Sequence, residues 1–249
     1  MALQVIGRSG TGPAVLVPRS CDGSPTAGVV NRHKKGSLSR CRVSEGRHEN
    51  LTLGFVRVIA GSAKGRRLIG PDTRETRPLT DRAREAVFSA LAGLVDEAEV
   101  LDLYAGSGSI GIEALSRGAG RVVFVEKGRE ALGALRQNLT TLGFDNVTVV
   151  GQDVGEYLRT AAGQFDLIFF DPPWTMETGA LARQMEEADR LAIDGAEMLI
   201  HRRRSEPTPP PAVGWRLLTT RRYGDGVIYR YEKSSADSID QEEDPEDDE

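Results

Sequence analysis

The apolar run Phe165-Asp166-Leu167-Ile168-Phe169-Phe170 is cut off by Asp171-Pro172-Pro173-Trp174. A run of that length and composition reads as a buried strand. Neither proline can donate to a sheet ladder, so the strand must stop there. In an open α/β sheet, ligands bind at the carboxyl edge of the strands. The break therefore delivers a carboxylate, a rigid carbonyl at Pro172 and an indole to that edge together. These groups suit one task. The lone pair of an exocyclic base amine is delocalised into the ring, and it turns outward only when acceptors hold the amine hydrogens. Asp171 and the Pro172 carbonyl can be those acceptors while Trp174 stacks on the base, which makes Asp171, Pro172, Pro173 and Trp174 the candidate catalytic residues. The same tetrapeptide also reads as a plain strand-ending turn, because Asp-Pro starts turns.

Around this break the chain alternates strand and helix periods. Val56 to Ile59 and Arg66 to Ile69 predict a hairpin across Gly61 to Gly65. Thr80 is placed to cap a helix with Ala83, Val87, Ala90, Leu91 and Leu94 on one face and Asp81 in its first turn. Strand Val100 to Tyr104, helix Ser109 to Arg117, strand Arg121 to Glu126 and helix Arg129 to Leu142 follow, the last ended by Gly143. Next come strand Val147 to Val150, a short helix around Glu156 to Ala161, strand Phe165 to Phe170, a helix from about Thr178 to Leu191, and strand Glu197 to His201. Trp215 to Thr220 and Gly226 to Tyr231 read as a closing hairpin. Such alternation implies an α/β fold with a doubly wound, largely parallel sheet and right-handed crossovers. The closing hairpin makes the sheet mixed, with an antiparallel strand inserted near one edge.

The formal net charge of -5 is unevenly spread. Residues 1 to 55 hold 8 Lys/Arg and 3 Asp/Glu, residues 234 to 249 hold 9 Asp/Glu and no Lys/Arg, and the body from 56 to 233 is left at -1. A near-neutral body with clustered arginines is compatible with RNA binding. Residues 1 to 55 show no period and are expected to be a disordered extension, read here as an over-extended gene start with the protein proper beginning near Val56. Residues 234 to 249 read as a solvated acidic tail. Cys21 and Cys41 both lie in the N-terminal extension, so neither a disulfide framework nor a cysteine nucleophile is expected in the body. His33, His48 and His201 have no metal-ligand spacing, and no metal site is expected. No apolar stretch approaches the ~20 residues that span a bilayer, so a soluble protein is expected.

After the strand ending near Tyr104, Ala105-Gly106-Ser107-Gly108-Ser109-Ile110-Gly111 forms a G-x-G-x-x-G at the mouth of a helix, and Glu126 lies 20 residues beyond the first glycine. The same arrangement is the dinucleotide fingerprint, which keeps an NAD-linked oxidoreductase open. Asp102 discriminates. A carboxylate there would repel a pyrophosphate, whereas the ammonium of S-adenosylmethionine gains an acceptor. Glu126 is placed to accept both ribose hydroxyls, having no other obvious partner. Asp153 is either an adenine-amine acceptor or the N-cap of the helix after it. The candidate cofactor residues are Asp102, Tyr104, Ala105, Gly106, Ser107, Gly108, Glu126, Lys127, Asp153 and Val154.

Residues 56 to 233, about 178 of 249, resemble the RsmD family of bacterial methyltransferases. The resemblance rests on Arg57-Val58-Ile59-Ala60-Gly61 with Gly65-Arg66-Arg67-Leu68, and on Arg77-Pro78-Leu79-Thr80-Asp81-Arg82-Ala83-Arg84-Glu85, the most specific run. Leu101 to Gly108, Glu113 to Ala119, Val125-Glu126-Lys127 and Asp171-Pro172-Pro173-Trp174 complete it. It implies a Rossmann-like class I methyltransferase domain over 96 to 233, with a seven-stranded mixed sheet and helices on both faces. A small RNA-contacting hairpin and helix extension over 56 to 95 would precede it. It also implies S-adenosylmethionine as cofactor, N2 of guanine-966 in 16S ribosomal RNA as target and a partly assembled 30S particle as substrate; a monomer in the bacterial cytoplasm is expected, with organellar import as the alternative. RNA contact falls to Arg66, Arg67, Arg74, Arg77, Arg82 and Arg84, with Arg202, Arg203 and Arg204 as a second group. The chain departs from the family pattern at Trp174, where Phe or Tyr is usual, and at His201, where Glu is more frequent. A guanine in another RNA, adenine N6, a DNA amine and a non-catalytic RNA-binding role remain alternatives.

Overall fold

Strand register explains how the chain gathers its carboxylates at one edge. The computed structural model describes residues 56–70 and 79–234. Seven strands form the main sheet: β3 (Glu99–Leu103), β4 (Arg121–Glu126), β5 (Val147–Gly151), β6 (Phe165–Phe170), β7 (Ala192–Arg203), β8 (Trp215–Tyr223) and β9 (Gly226–Lys233). Their order is β5-β4-β3-β6-β7-β9-β8. The pairs through β7 are parallel, while β9 runs antiparallel between β7 and β8, so the sheet is mixed as expected. β3 and β6 are neighbours although two strands separate them in sequence. Strand order reverses there, and the carboxyl edge opens into a crevice.

Two apolar clusters cover the two faces of this sheet. One collects the residues facing α2 (Ser109–Ser116), α3 (Arg129–Leu142) and the N-terminal extension; the other faces α4 (Val154–Thr160) and α5 (Thr178–Asp189). The central strands are buried on both faces, which explains their unbroken apolar composition. Among the described residues no helix is long and apolar enough to cross a membrane.

The extension comprises β1 (Val56–Arg57), β2 (Arg67–Leu68) and α1 (Asp81–Ala90). Its hairpin has two paired residues per strand, shorter than the predicted 56–59 and 66–69. The physical reason lies in Glu113 of α2, whose buried carboxylate accepts from Ile59 N (2.7 Å) and Ala60 N (3.0 Å), so those amides never join the ladder. Ser116 adds a second clamp: its Oγ accepts from Ala63 N and donates to the Ala60 carbonyl. Gly61 sits so close to α2 that a Cβ there would lie 1.5 Å from the Ser116 carbonyl oxygen. Thr80 caps α1 by accepting from Ala83 N at 3.2 Å, as predicted. The helix ends sooner than its apolar spacing implied: Gly93 turns at φ +90, and Leu94 lies outside the helix and 45% exposed.

Candidate active site and cofactor pocket

At the end of β3 the chain turns through Tyr104 at φ +62, Gly106 at φ +56 and Gly108 at φ +85, then enters α2. A side chain at Gly108 would meet Leu135 and one at Gly111 would meet the Phe124 ring, so both glycines let the loop pack tightly on α3 and β4. Gly106 faces open space instead. Asp102 lies under this loop, 1% exposed. Its Oδ2 accepts from Gly111 N at 2.9 Å, while Oδ1 is buried without a partner. Burial pushes the carboxyl up to about 7, and the Gly111 N–H opposes that rise while Asp171 and Glu126 add to it. A buried carboxylate oxygen with no donor fits an incoming ammonium and disfavours a phosphate.

Glu126 at the end of β4 does have partners, contrary to expectation. One oxygen accepts from Gly106 N (2.9 Å) and the other from Gly128 N (2.6 Å), so the side chain ties the glycine loop to the start of α3. Each oxygen keeps a second lone pair for a hydroxyl donor. Asp153 caps α4 through Gly155 N at 2.9 Å, the structural role foreseen for it, and also takes Lys127 Nζ at 3.0 Å. That ammonium holds the Asp153 carboxyl below its ordinary range. Val154 is buried, leaving only its backbone for a ligand. Tyr104 donates its hydroxyl to Gln184 Oε1 at 2.6 Å, and burial pushes that hydroxyl up to about 12. Ala105 is buried and Ser107 half-buried in the loop.

Asp171 follows β6 and sits beside the β3 loop, its N–H directed at the Leu103 carbonyl at 3.4 Å. Its Oδ1 lies 2.8 Å from His201 Nδ1. His201 is 8% exposed, and a Cβ on Gly226 would stand 2.5 Å from its Nε2, so the glycine in β9 makes room for the ring. The Trp174 indole meets His201 edge-on at 6.2 Å between centroids, and the Arg203 guanidinium lies 5.7 Å from the Trp174 ring centroid. Pro172 is buried and Pro173 exposed; the Pro173 carbonyl accepts from Met176 N at 2.9 Å. Arg202 is fully buried and donates to the Met176 carbonyl at 2.7 Å, pinning the loop from behind. The contact between His201 and Asp171 was not foreseen, because the two are 30 residues apart and only the β6–β7 pairing brings them together.

The predicted RNA-contacting arginines separate. Arg66, Arg67 and Arg82 are exposed, although Arg66 also donates to the Thr141 carbonyl at 3.2 Å. Arg84 is a correction. It is fully buried, donating to the Arg57 carbonyl at 2.5 Å and to Asp81 at 3.0 Å, with Glu113 at 4.0 Å, so it braces the extension rather than facing a ligand. Arg202 is likewise removed from the second group by burial, whereas Arg203 and Arg204 are exposed. Arg74 and Arg77 lie outside the described residues, as do 1 to 55 and 235 to 249. Among the described residues no cluster of His, Cys, Asp or Glu is arranged to hold a metal ion.

A family model described as "Conserved hypothetical protein 95" matches residues 56–232. The Escherichia coli (strain K12) protein named ribosomal RNA small subunit methyltransferase D is 40% identical over 121 residues, 49% of this chain and 61% of that one. The chain belongs to the RsmD family. A Bacillus subtilis relative, named as a candidate rRNA methyltransferase, is 36% identical over 184 residues, covering 72% of this chain and 99% of its own. Of solved structures, a candidate methyltransferase from Escherichia coli superposes with a TM-score of 0.66 at 30% identity, covering 73% of this chain and 99% of that one. The class I methyltransferase architecture expected of an RsmD member is therefore present. The alignment with the first E. coli relative spans about three fifths of that protein's length.

Proposed function

We propose that this RsmD-family protein transfers a methyl group from S-adenosylmethionine to the exocyclic N2 amine of a guanine in 16S ribosomal RNA. The observation carrying this reading is the unpartnered Oδ1 of Asp102 one strand away from Asp171, both at the switch point of the sheet. Asp102 would hold the ammonium of the cofactor, Glu126 its ribose hydroxyls and Asp153 its adenine amine, with the backbone of Tyr104 to Gly108 following its contour. Bound there, the cofactor supplies an electrophilic sulfonium methyl. The rest of the chemistry belongs to the protein. Asp171 and the Pro172 carbonyl accept the two N2 hydrogens, which localises the nitrogen lone pair toward the donor, and Trp174 stacks on the extruded base. Alignment at roughly 3 to 3.5 Å makes transfer effectively unimolecular, and positioning provides most of the rate. The nitrogen–carbon bond would form at the expense of the methyl–sulfur bond, whose electron pair stays on sulfur, and the proton lost from N2 would pass to Asp171.

The name of the Escherichia coli relative supports ribosomal RNA of the small subunit as the substrate, and that of the Bacillus subtilis relative supports ribosomal RNA. A partly assembled 30S particle in a bacterial cytoplasm and a monomeric enzyme complete the reading. The test is incubation with labelled S-adenosylmethionine and 16S RNA, naked or in particles, followed by mapping of the modified nucleotide. Asp171→Ala should keep cofactor affinity within about threefold while transfer falls by about 10² or more. Label on adenine N6, or turnover by the variant equal to that of the unaltered protein, would defeat the assignment. An NAD-linked oxidoreductase requires pyrophosphate beside Asp102, and titration calorimetry with both cofactors separates the two readings.

A further inference from the structure

Beyond the target site, the outer strands carry a second row of exposed groups. Paired residues on neighbouring strands project to the same face of a sheet. His201 and Arg221 both pair with Ile228, which belongs to the apolar cluster under α1 and the N-terminal hairpin. Two positions farther along, Arg203 and Tyr223 both pair with Gly226 and project the same way, and Tyr223 packs at the margin of that cluster. Arg222 pairs with Val227 of the opposite cluster and faces away. Trp174, Arg203, Tyr223 and Arg221 therefore share the α1 face at the carboxyl edge, starting beside Asp171.

Fold stability does not account for this row. Arg203 and Arg221 are exposed and form no ion pair with another described residue, unlike Arg216, which is held by Glu232 on the same hairpin. Arginines along an outer strand discourage edge-to-edge association, but that purpose is served equally by Arg222 and gives no reason for Arg203 to lie on Trp174. Guanidinium groups alternating with half-buried aromatic rings match unstacked RNA: rings accept base faces and arginines hold the phosphates between them.

We propose that the RNA strand flanking the target nucleotide runs along Arg203, Tyr223 and Arg221 on the α1 face, as a binding surface separate from the N-terminal hairpin. This rests on the methyl-transfer function above. The track predicts sidedness, since Arg221 and Arg222 are adjacent, equally charged and on opposite faces. The test compares Arg221→Gln, Arg222→Gln and the double variant Arg203→Gln/Arg221→Gln in the full chain, using a 16S RNA fragment at several salt concentrations. The double variant should raise KM for RNA about tenfold and reduce the salt slope of binding by about 1.4, near 0.7 for each single-strand phosphate that is no longer neutralised. Arg222→Gln should leave both unchanged, and cofactor affinity should stay constant in every variant. Equal effects of Arg221→Gln and Arg222→Gln would mean general electrostatics and overturn the track, as would an unaltered KM in the double variant. If the unaltered protein methylates RNA and the double variant matches it, the surface alone fails; if the unaltered protein neither binds nor methylates RNA, both readings fall.

Discussion

The two carboxylates at the crevice differ in how they are held, and each difference is measurable. Asp102 is raised to about 7 chiefly by burial, so the folded protein binds a proton there that the unfolded chain, near 3.8, releases. Its contribution to stability is therefore fully present below pH 3.8 and is lost as pH rises toward 7. An ammonium ligand reverses the preference and favours the ionised form. Affinity for S-adenosylhomocysteine should consequently rise as pH goes from about 6 to 7.5, then fall once the ligand's α-amino group, near about 8, deprotonates. Asp102→Asn should bind weakly and flatten the ascending limb; calorimetry over that range decides, and a flat profile for the unaltered protein would remove the ammonium assignment. Asp171 depends instead on His201. With Nδ1 donating to Oδ1, the ring fixes the orientation of the carboxylate. Asn at 201 can present an amide N–H near the Nδ1 position, whereas Leu cannot. His201→Asn should keep kcat within about threefold and His201→Leu should lose about tenfold or more with RNA KM little changed, the scale of one hydrogen bond to a charged group. Equal kcat in both variants would show that the ring only fills space. Asp102 could be found from its spacing to the glycines. The role of His201 could not, because it depends on the register between two strands.

Elements were readable where their signal is local. The strands at 121–126 and 165–170 and the helix at 129–142 appear with the predicted bounds, because hydrophobic period, glycine stop and double-proline stop all act within a few residues. The N-terminal extension was readable only in part. Its anchor, Glu113, lies 54 residues from Ile59, and its apolar neighbours in α2 gave no sign that its carboxylate would be sealed beneath another element. The same long-range pairing hid the burial of Arg84, which looked like one more basic residue on a helix surface. Glu113 accepts from Ile59 N, Ala60 N and Arg117 Nε, so removing it strands three donors and leaves Arg84 buried near no carboxylate but Asp81. Glu113→Ala should cost about 3 kcal/mol, lowering Tm by roughly 6–12 °C for a domain of this size. The loss should expose the 56–70 segment to limited proteolysis before the main sheet unfolds. An unchanged Tm in differential scanning calorimetry would mean that the extension is anchored elsewhere.

At the scale of the whole molecule, a protein proposed to bind a polyanion carries a formal charge of -5. The resolution lies in where the charges are. The nine acidic residues beyond position 234 account for -9, so a chain ending at Ser234 would carry +4. The sheet presents its crevice, Trp174 and the Arg203–Arg221 row on one edge and face, while the uncompensated negative charge belongs to a separate stretch of sequence. A segment of that charge density is expected to lower the local concentration of RNA through a field reaching about 10 Å at 0.1 M salt. Deleting residues 235–249 should therefore tighten RNA binding at low ionic strength, chiefly through faster association. Affinity for S-adenosylhomocysteine and Tm should not change. The difference between the two forms should shrink steadily as salt is raised and nearly vanish by about 1 M, where the screening length is near 3 Å. Stopped-flow association of the full and shortened chains with the same RNA across that range tests it. Equal association rates at low salt would show that the acidic stretch is electrostatically silent toward RNA.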